Sequence, residues 1–159
     1  MEDFLTTLQV EGFTSRLKRL SDVLLYATRD LYKTEGVDIE PNWNLVFRLL
    51  QEHDALTITE MSERLQLSHP AVVKIVKKMK KSGYVEAVSD REDKRKQILK
   101  LTPKAQRQIK TIEVLWEAQN QVLEQLLAES PHLLEELGHI EKRLNEQDYK
   151  QRVRDKLNA

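Results

Sequence analysis

Apolar positions recur at steps of three and four along most of the chain, the spacing that lays them along one side of an α-helix. Phe13, Leu17, Leu20, Leu24, Ala27 and Leu31 form one such stripe and predict a long helix over 12–34, with Leu5 and Leu8 starting a short helical turn before it. Gly36 ends the long helix, and the stretch to Pro41 separates it from a second, mostly buried helix over 42–52 that carries Trp43, Val46, Phe47 and Leu50. Thr57-Ile58-Thr59-Glu60 matches a capping box, in which Thr and Glu each satisfy the other's free backbone amide. A short helix follows it, with Ile58, Met61 and Leu65 inward, and stops near Gln66-Leu67. Ser68 offers a second N-cap and Pro70 suits the first turn of the next helix, where its missing N–H costs nothing. That helix runs to Lys81, where Ser82 and Gly83 stop it, Gly83 being able to take the left-handed cap.

The period then changes. Tyr84–Val88 and Gln97–Leu101 are short β-favouring runs on either side of a polar, highly charged connector, so they read as a two-stranded hairpin with a long charged tip. Thr102-Pro103 restarts a helix as cap and first position. Ala105, Ile109, Ile112, Trp116, Gln119, Leu123 and Leu126 make that helix long, and Ser130-Pro131 ends it and opens a last helix striped by Leu134, Leu137, Ile140 and Leu144. The charged tail after Gln147 is expected to fray. No internal repeat or low-complexity segment is visible.

Composition narrows the class. With 159 residues, 33% charged, 40% hydrophobic and only four Gly and four Pro, the chain is suited to helices in one domain or compact protomer. It has no Cys, which removes disulfides, Cys-based zinc sites, iron–sulfur clusters, thiol catalysis and thiol redox sensing. Apolar runs are too short for a transmembrane helix and the acidic N-terminus lacks a signal peptide, so a soluble cytoplasmic protein is expected.

The formal net charge is zero, but its distribution is not even. Residues 68–107 hold twelve Lys/Arg against four Asp/Glu, a net of +8, between flanks of −5 over 1–67 and −3 over 108–159. A concentrated positive block favours a polyanionic partner, although a solvated charged face is the common reading of such a run. Its placement is more telling than its size. Two short helices joined by a tight turn are a helix-turn-helix, and the charged hairpin after them is a wing. On the second helix Val72, Ile75, Val76 and Met79 share one face. At 100° per residue Lys74, Lys77, Lys78 and Lys81 fall in an arc of about 100° on the other.

A helix anchored on one face and cationic on the opposite one fits the major groove of B-DNA. Candidate contacts are Thr57 at the first cap, Ser68 and His69 at the N-terminal end, Ala71 and Val73 for thymine methyl groups, and Lys74 for a guanine edge or phosphate. Lys77, Lys78 and Lys81 are candidates for phosphates, which position a protein without reading sequence. In the wing, Asp90 and Asp93 are candidates for shaping the loop, Asp93 by pairing with Arg95 or a neighbour, so that Arg91 and Lys94 reach the minor groove. A solvated lysine-rich helix and a flexible charged tip are the plainer alternatives, and exposed ion pairs of this kind contribute under ~1 kcal/mol.

The stretch from Leu56 to Gln106 resembles the winged-helix repressors of the multiple-antibiotic-resistance-regulator (MarR) family. The resemblance is carried by the capped helix, the basic helix leading into Gly83-Tyr84-Val85, the charged wing, and Leu101-Thr102-Pro103-Lys104-Ala105 opening the next helix. Asp90, Asp93 and Arg95 match the family's spaced Asp…Asp-x-Arg pattern. Glu92 stands where many members have Arg, and Ala71 and Val73 stand where small hydroxyl residues are frequent. In layout the resemblance extends from about Gly12 to about Tyr149. It implies a mainly α fold with a small β-hairpin wing, residues 37–102 forming the DNA-binding lobe and residues 1–36 and 103–159 a helical dimerisation region. It also implies a homodimer, two wings on one palindromic operator, and a role as repressor. Independently of the family, the terminal helices carry wider apolar stripes than a small winged domain buries alone. A second copy would cover them, and twofold symmetry sets two recognition helices about 34 Å apart, one DNA turn.

The resemblance further implies a pocket between the dimer helices and the DNA-binding lobe, where small aromatic or lipophilic effectors weaken DNA binding. Tyr26, Trp43, Phe47 and Trp116 are candidate wall residues, although aromatics at helical spacing are more often plain core. His53, His69, His132 and His139 show no tight ligand spacing. His132 and His139, seven apart, could meet a metal only with help from Glu135 or Glu136, so neither a metal nor a cofactor is expected. No phosphate-binding glycine loop, nucleophile elbow or triad spacing points to an enzyme. The rival reading is a winged-helix protein-interaction or assembly module without specific DNA binding.

Overall fold

The stripes become helices where their spacing places them. The fold, taken from a computed structural model that describes residues 2–89 and 97–159, runs α1 (Phe4–Thr7), α2 (Phe13–Thr34), α3 (Trp43–His53), α4 (Ile58–Leu65), α5 (His69–Lys81), β1 (Val85–Ser89), β2 (Gln97–Leu101), α6 (Pro103–Leu127), α7 (Leu133–Glu146) and α8 (Tyr149–Leu157). The described chain falls into two compact units, Met1–Ile112 and Glu113–Ala159.

In the first unit, α1 is capped by Asp3, whose carboxylate accepts the Leu5 amide at 3.2 Å. The Arg19 guanidinium grips the same carboxylate at 3.0 and 2.6 Å, tying α1 to α2. Hydrogen bonds from Arg19 and then Thr6 hold the Asp3 carboxyl well below the usual carboxylate range. The capping box before α4 forms as read: the Thr57 hydroxyl accepts the Glu60 amide at 3.2 Å and the Glu60 carboxylate accepts the Thr57 amide at 2.7 Å. Strands β1 and β2 pair antiparallel, Val85 opposite Leu101 and Glu86 opposite Lys100. A bridge not anticipated from sequence joins Leu56, in the α3–α4 connector, to Leu99 of β2 through two backbone hydrogen bonds. It fastens the helix-turn-helix to the hairpin.

The core of this unit is apolar throughout: Trp43, Val46, Phe47 and Leu50 from α3, Met61 from α4, Val72, Ile75, Val76 and Met79 from α5, with Tyr84, Val85, Leu99, Ala105 and Ile112 around them. Burying these side chains drives the fold, and helix propensity only biases it. The α2 stripe behaves differently. Tyr32 is the single buried residue of that helix, while Phe13, Leu17, Leu20 and Leu24 stay exposed.

In the second unit, α7 buries none of its residues, and Leu134, Ile140 and Leu144 of its stripe are exposed. The tail after Gln147, expected to fray, is instead the helix α8. Asp148 caps it by accepting the Gln151 amide at 3.0 Å. The Arg152 guanidinium reaches back to the Arg143 and Gln147 carbonyls, and Asp155 accepts from Gln147 and Gln151, both at 2.7 Å. Side-chain hydrogen bonds to unfilled helix-end groups supply here what apolar periodicity lacks. Among the described residues no helix is long and apolar enough to cross a membrane.

Gly83, which stops α5, has φ +74°, and a Cβ there would meet only Lys104 Cδ at 3.8 Å, an ordinary contact. The cost of a side chain is therefore conformational. Gly83→Ala should destabilise the protein by about 1–2 kcal/mol, and Gly83→Asn by less, measured by urea unfolding; equal stability of all three would show that the left-handed turn is not needed.

Candidate nucleic-acid interface

The turn between α4 and α5 is built from residues that carry no glycine signal. Gln66 takes the left-handed conformation at φ 51°, ψ 34°, with its side-chain amide donating to the Glu63 carbonyl at 2.6 Å. Ser62 clamps the far side: its hydroxyl donates to the Leu67 carbonyl at 2.5 Å, and the Leu67 amide donates to the Ser62 carbonyl. Ser68 is the N-cap of α5 through its backbone carbonyl, which accepts from Ala71 and Val72. Its hydroxyl makes no capping bond, a departure from the side-chain cap read from sequence.

The two faces of α5 separate as the 3.6-residue period requires. Val72, Ile75, Val76 and Met79 are buried. Lys74, Lys77, Lys78 and Lys81 are exposed, as are Ser68 and His69, while Ala71 and Val73 are half-buried at the boundary. Lys80, not among the sequence candidates, is exposed on the same helix. No carboxylate of a described residue pairs with Lys74, Lys77 or Lys81, whereas Lys78 Nζ lies 3.7 Å from Glu40 Oε1. Thr57, a candidate contact, is also the N-cap of α4. Its hydroxyl donates to Glu60 at 2.8 Å and its amide is also given to Glu60, so its donors are committed to the cap. The wing candidates Asp90, Arg91, Asp93, Lys94 and Arg95, together with Glu92, lie outside the described residues.

What holds α5 at its angle is Tyr84, in the turn after it. Its amide donates to the Met79 carbonyl at 2.9 Å, its carbonyl accepts from Thr102 at 3.0 Å, and its hydroxyl donates to Gln108 Oε1 at 2.6 Å. Its ring meets Trp43 and Phe47 edge-on, with centroids 5.7 and 5.6 Å away. Lys104 spans this joint, Nζ donating to the Ser82 carbonyl at 2.7 Å and lying 4.2 Å from the centre of the Tyr84 ring. A cation at the last carbonyls of α5 is favourable to its dipole. Thr102 Oγ1 donates to the Gly83 carbonyl at 2.6 Å and accepts the Ala105 amide, so one hydroxyl links the end of α5 to the start of α6. Burial, and then the charge of Asp38, push the Tyr84 phenol above its ordinary range, keeping it a donor.

Of the proposed effector-wall residues, Trp43 and Phe47 come together, but as core against Tyr84, the outcome that helical spacing favours. Tyr26 is exposed beside the Arg29 guanidinium, and Trp116 is buried on α6. None of the four lines the cavity of about 610 Å³ bounded by Leu50, Gln51, Asp54, Lys100, Leu101, Gln106 and Ile109. Trp43 Nε1 is a buried donor without a hydrogen-bond partner among the described residues. Among the described residues no group of three His, Asp or Glu could hold a metal ion.

A capped short helix, a clamped turn, a helix apolar inside and cationic outside, and a strand pair behind it define the winged helix-turn-helix class. Residues 37–96 match the model of the MarR family. Proteins of this family are transcription regulators and not enzymes. Solved structures agree in fold. The S. aureus MepR–DNA complex superposes with a TM-score of 0.72 at 18% identity, covering 83% of this chain and 97% of that one. Reduced AbfR bound to DNA gives 0.66 at 25% identity, covering 87% and 97%. PcaV from Streptomyces coelicolor, in complex with its natural ligand, gives 0.65 at 19% identity, covering 92% and 99%. No curated protein matches the sequence.

The Tyr84 joint is testable through its two parts. Tyr84→Phe keeps the ring and loses the hydroxyl bond, an expected loss of about 1 kcal/mol. Tyr84→Ala also empties the space between Trp43 and Phe47, an expected loss of about 3–5 kcal/mol. Similar losses in urea unfolding would show that the ring is not the anchor.

Proposed function

We propose that this protein is a sequence-specific, double-stranded DNA-binding transcription regulator, acting as a homodimer on a palindromic operator and as a repressor. The observation that carries the reading is the α5 surface: exposed lysines, of which Lys74, Lys77 and Lys81 have no carboxylate partner among the described residues, on the face opposite a buried apolar one. Lys74 is assigned to a base edge or phosphate, Lys77, Lys78 and Lys81 to phosphates, and Ser68, His69, Ala71 and Val73 to the groove floor. The Ser68 hydroxyl, unused in capping, suits that role. Arg91 and Lys94 are assigned to the minor groove and Arg95 to the DNA-binding wing, with Asp90 and Asp93 shaping it. MepR and AbfR have been solved with DNA, which supports the same class of partner here. Such a regulator works where the DNA is, in the cytoplasm.

Dimerisation is assigned to residues 1–36 and 103–159, with residues 37–102 as the DNA-binding lobe. The support is that the α2 stripe and the α7 stripe, each read separately, remain exposed. Exposed apolar faces of this extent mark interaction surfaces. A small aromatic or lipophilic effector is assigned to the neighbourhood of Trp43, whose buried indole N–H has no acceptor among the described residues. PcaV, solved with its natural ligand, supports the binding of a ligand here.

Selection of bound fragments from random duplex DNA at two salt concentrations should return a palindrome. Lys74→Glu should weaken binding to the selected duplex by at least about tenfold while the protein still sediments as a dimer. Undiminished binding by this variant, or recovery of no duplex at all, would remove the assignment; in the latter case a protein-interaction module becomes the better reading. Leu20→Glu places a charge on the exposed α2 stripe and should yield a folded monomer by sedimentation with weakened operator binding; an unchanged dimer would move the interface elsewhere.

A further inference from the structure

Glu40 stands in the connector between α2 and α3 and faces two cations from different helices. Its Oε2 is held by the Arg29 fork of α2, at 3.2 Å from Nε and 3.1 Å from Nη2. Its Oε1 lies 3.7 Å from Lys78 Nζ on α5. The two sides are unequal. The Arg29 side is a hydrogen-bonded, two-pronged contact, while the Lys78 side is a looser ion pair without hydrogen-bond distance. The Lys78 side chain is 55% exposed, against 32% for Glu40, so the ammonium keeps water and can leave while the carboxylate stays on Arg29. Along the helix Lys78 lies about 60° from Lys81, at the edge of the cationic arc nearest Glu40.

We propose that Glu40 is an internal stand-in for a DNA phosphate, competing for Lys78, so that docking exchanges a carboxylate for a phosphate at this one lysine. The inference rests on the DNA-binding reading and adds to it a residue that sets affinity. With the carboxylate in place, Lys78 gives the protein less to offer a polyanion than Lys74, Lys77 and Lys81 do. Because the pair is exposed, releasing it costs little, and the contact tempers binding without preventing it. A duplex must supply a phosphate close enough to draw Lys78 away, so a loosely bound sequence gains less from it than a well-docked operator.

The experiment compares wild type, Glu40→Gln, Lys78→Gln and the double variant on the selected duplex and on an alternating dA–dT polymer, by fluorescence anisotropy across a salt series. Glu40→Gln is expected to bind the selected duplex about two- to fivefold more tightly, the range of one exposed ion pair. Its slope of log affinity against log salt should stay close to that of the wild type, because Lys78 meets the same phosphate in both complexes. In the Lys78→Gln background the same change should do nothing, since the competitor has lost its target. An equal gain in both backgrounds would make Glu40 a bulk-charge effect. A loss of affinity would make it a support that aims Lys78 at DNA. Either overturns the proposal. If the wild type binds neither duplex, the DNA-binding reading falls and this inference with it. If the wild type binds and Glu40→Gln leaves the affinity unchanged, only this inference falls.

Discussion

The placement of the cationic helix depends on one buried ring. Tyr84 follows α5 at its left-handed stop, bonds backward to Met79 and forward to Thr102 and Gln108, and lies edge-on between Trp43 and Phe47. A basic helix of thirteen residues cannot hold its own orientation; helices of that length are marginal in isolation. Its lysines can present a common face only because the apolar face is clamped by α3 and α4 and its end is pinned by this joint. The Leu56–Leu99 bridge extends the same constraint to the hairpin, so that helix and wing base are carried by one framework.

Electrostatics acts on that framework. The chain as a whole is neutral, yet the block from residue 68 to residue 107 carries a net of +8. The structure divides this charge by task. Lys104 is turned inward to the Ser82 carbonyl and the Tyr84 ring, where it closes the end of α5. Lys78 is shared with Glu40 and, through it, with Arg29 on α2. Lys74, Lys77 and Lys81 face outward, without an ion pair to any described residue. Equal charges in the sequence thus become a structural cation, a contested one and a presenting set.

The apolar economy is equally uneven. The core between α3, α4, α5 and the hairpin is filled, whereas α2 contributes a single buried residue to its own chain and α7 none. Leucines left in water at helical spacing cost free energy that a partner surface recovers. In the homodimer proposed above, the contacts that cover the leucines would also fix the spacing of the two recognition helices.

Much of this was legible in the residues themselves. The 3.6-residue period, the Thr57–Glu60 capping box, Pro70 in the first turn of α5 and the β-run at Gln97–Leu101 are local signals, written in spacing and in hydrogen-bonding side chains close in sequence, so they placed the helices, the β2 strand and the outward face of α5. The helix α8 after Gln147 was missed because it has no apolar stripe; its support is local but polar, an Asp148 cap and side-chain bonds of Arg152 and Asp155 to near neighbours. Local signals could not show that Thr57 spends its donors on Glu60, that Trp43 and Phe47 are core around Tyr84, or that Lys78 meets a carboxylate thirty-eight positions earlier. Periodicity determines which side of a helix is apolar; only tertiary packing decides which distant group stands opposite the other side, because that depends on how separate elements are brought together in space.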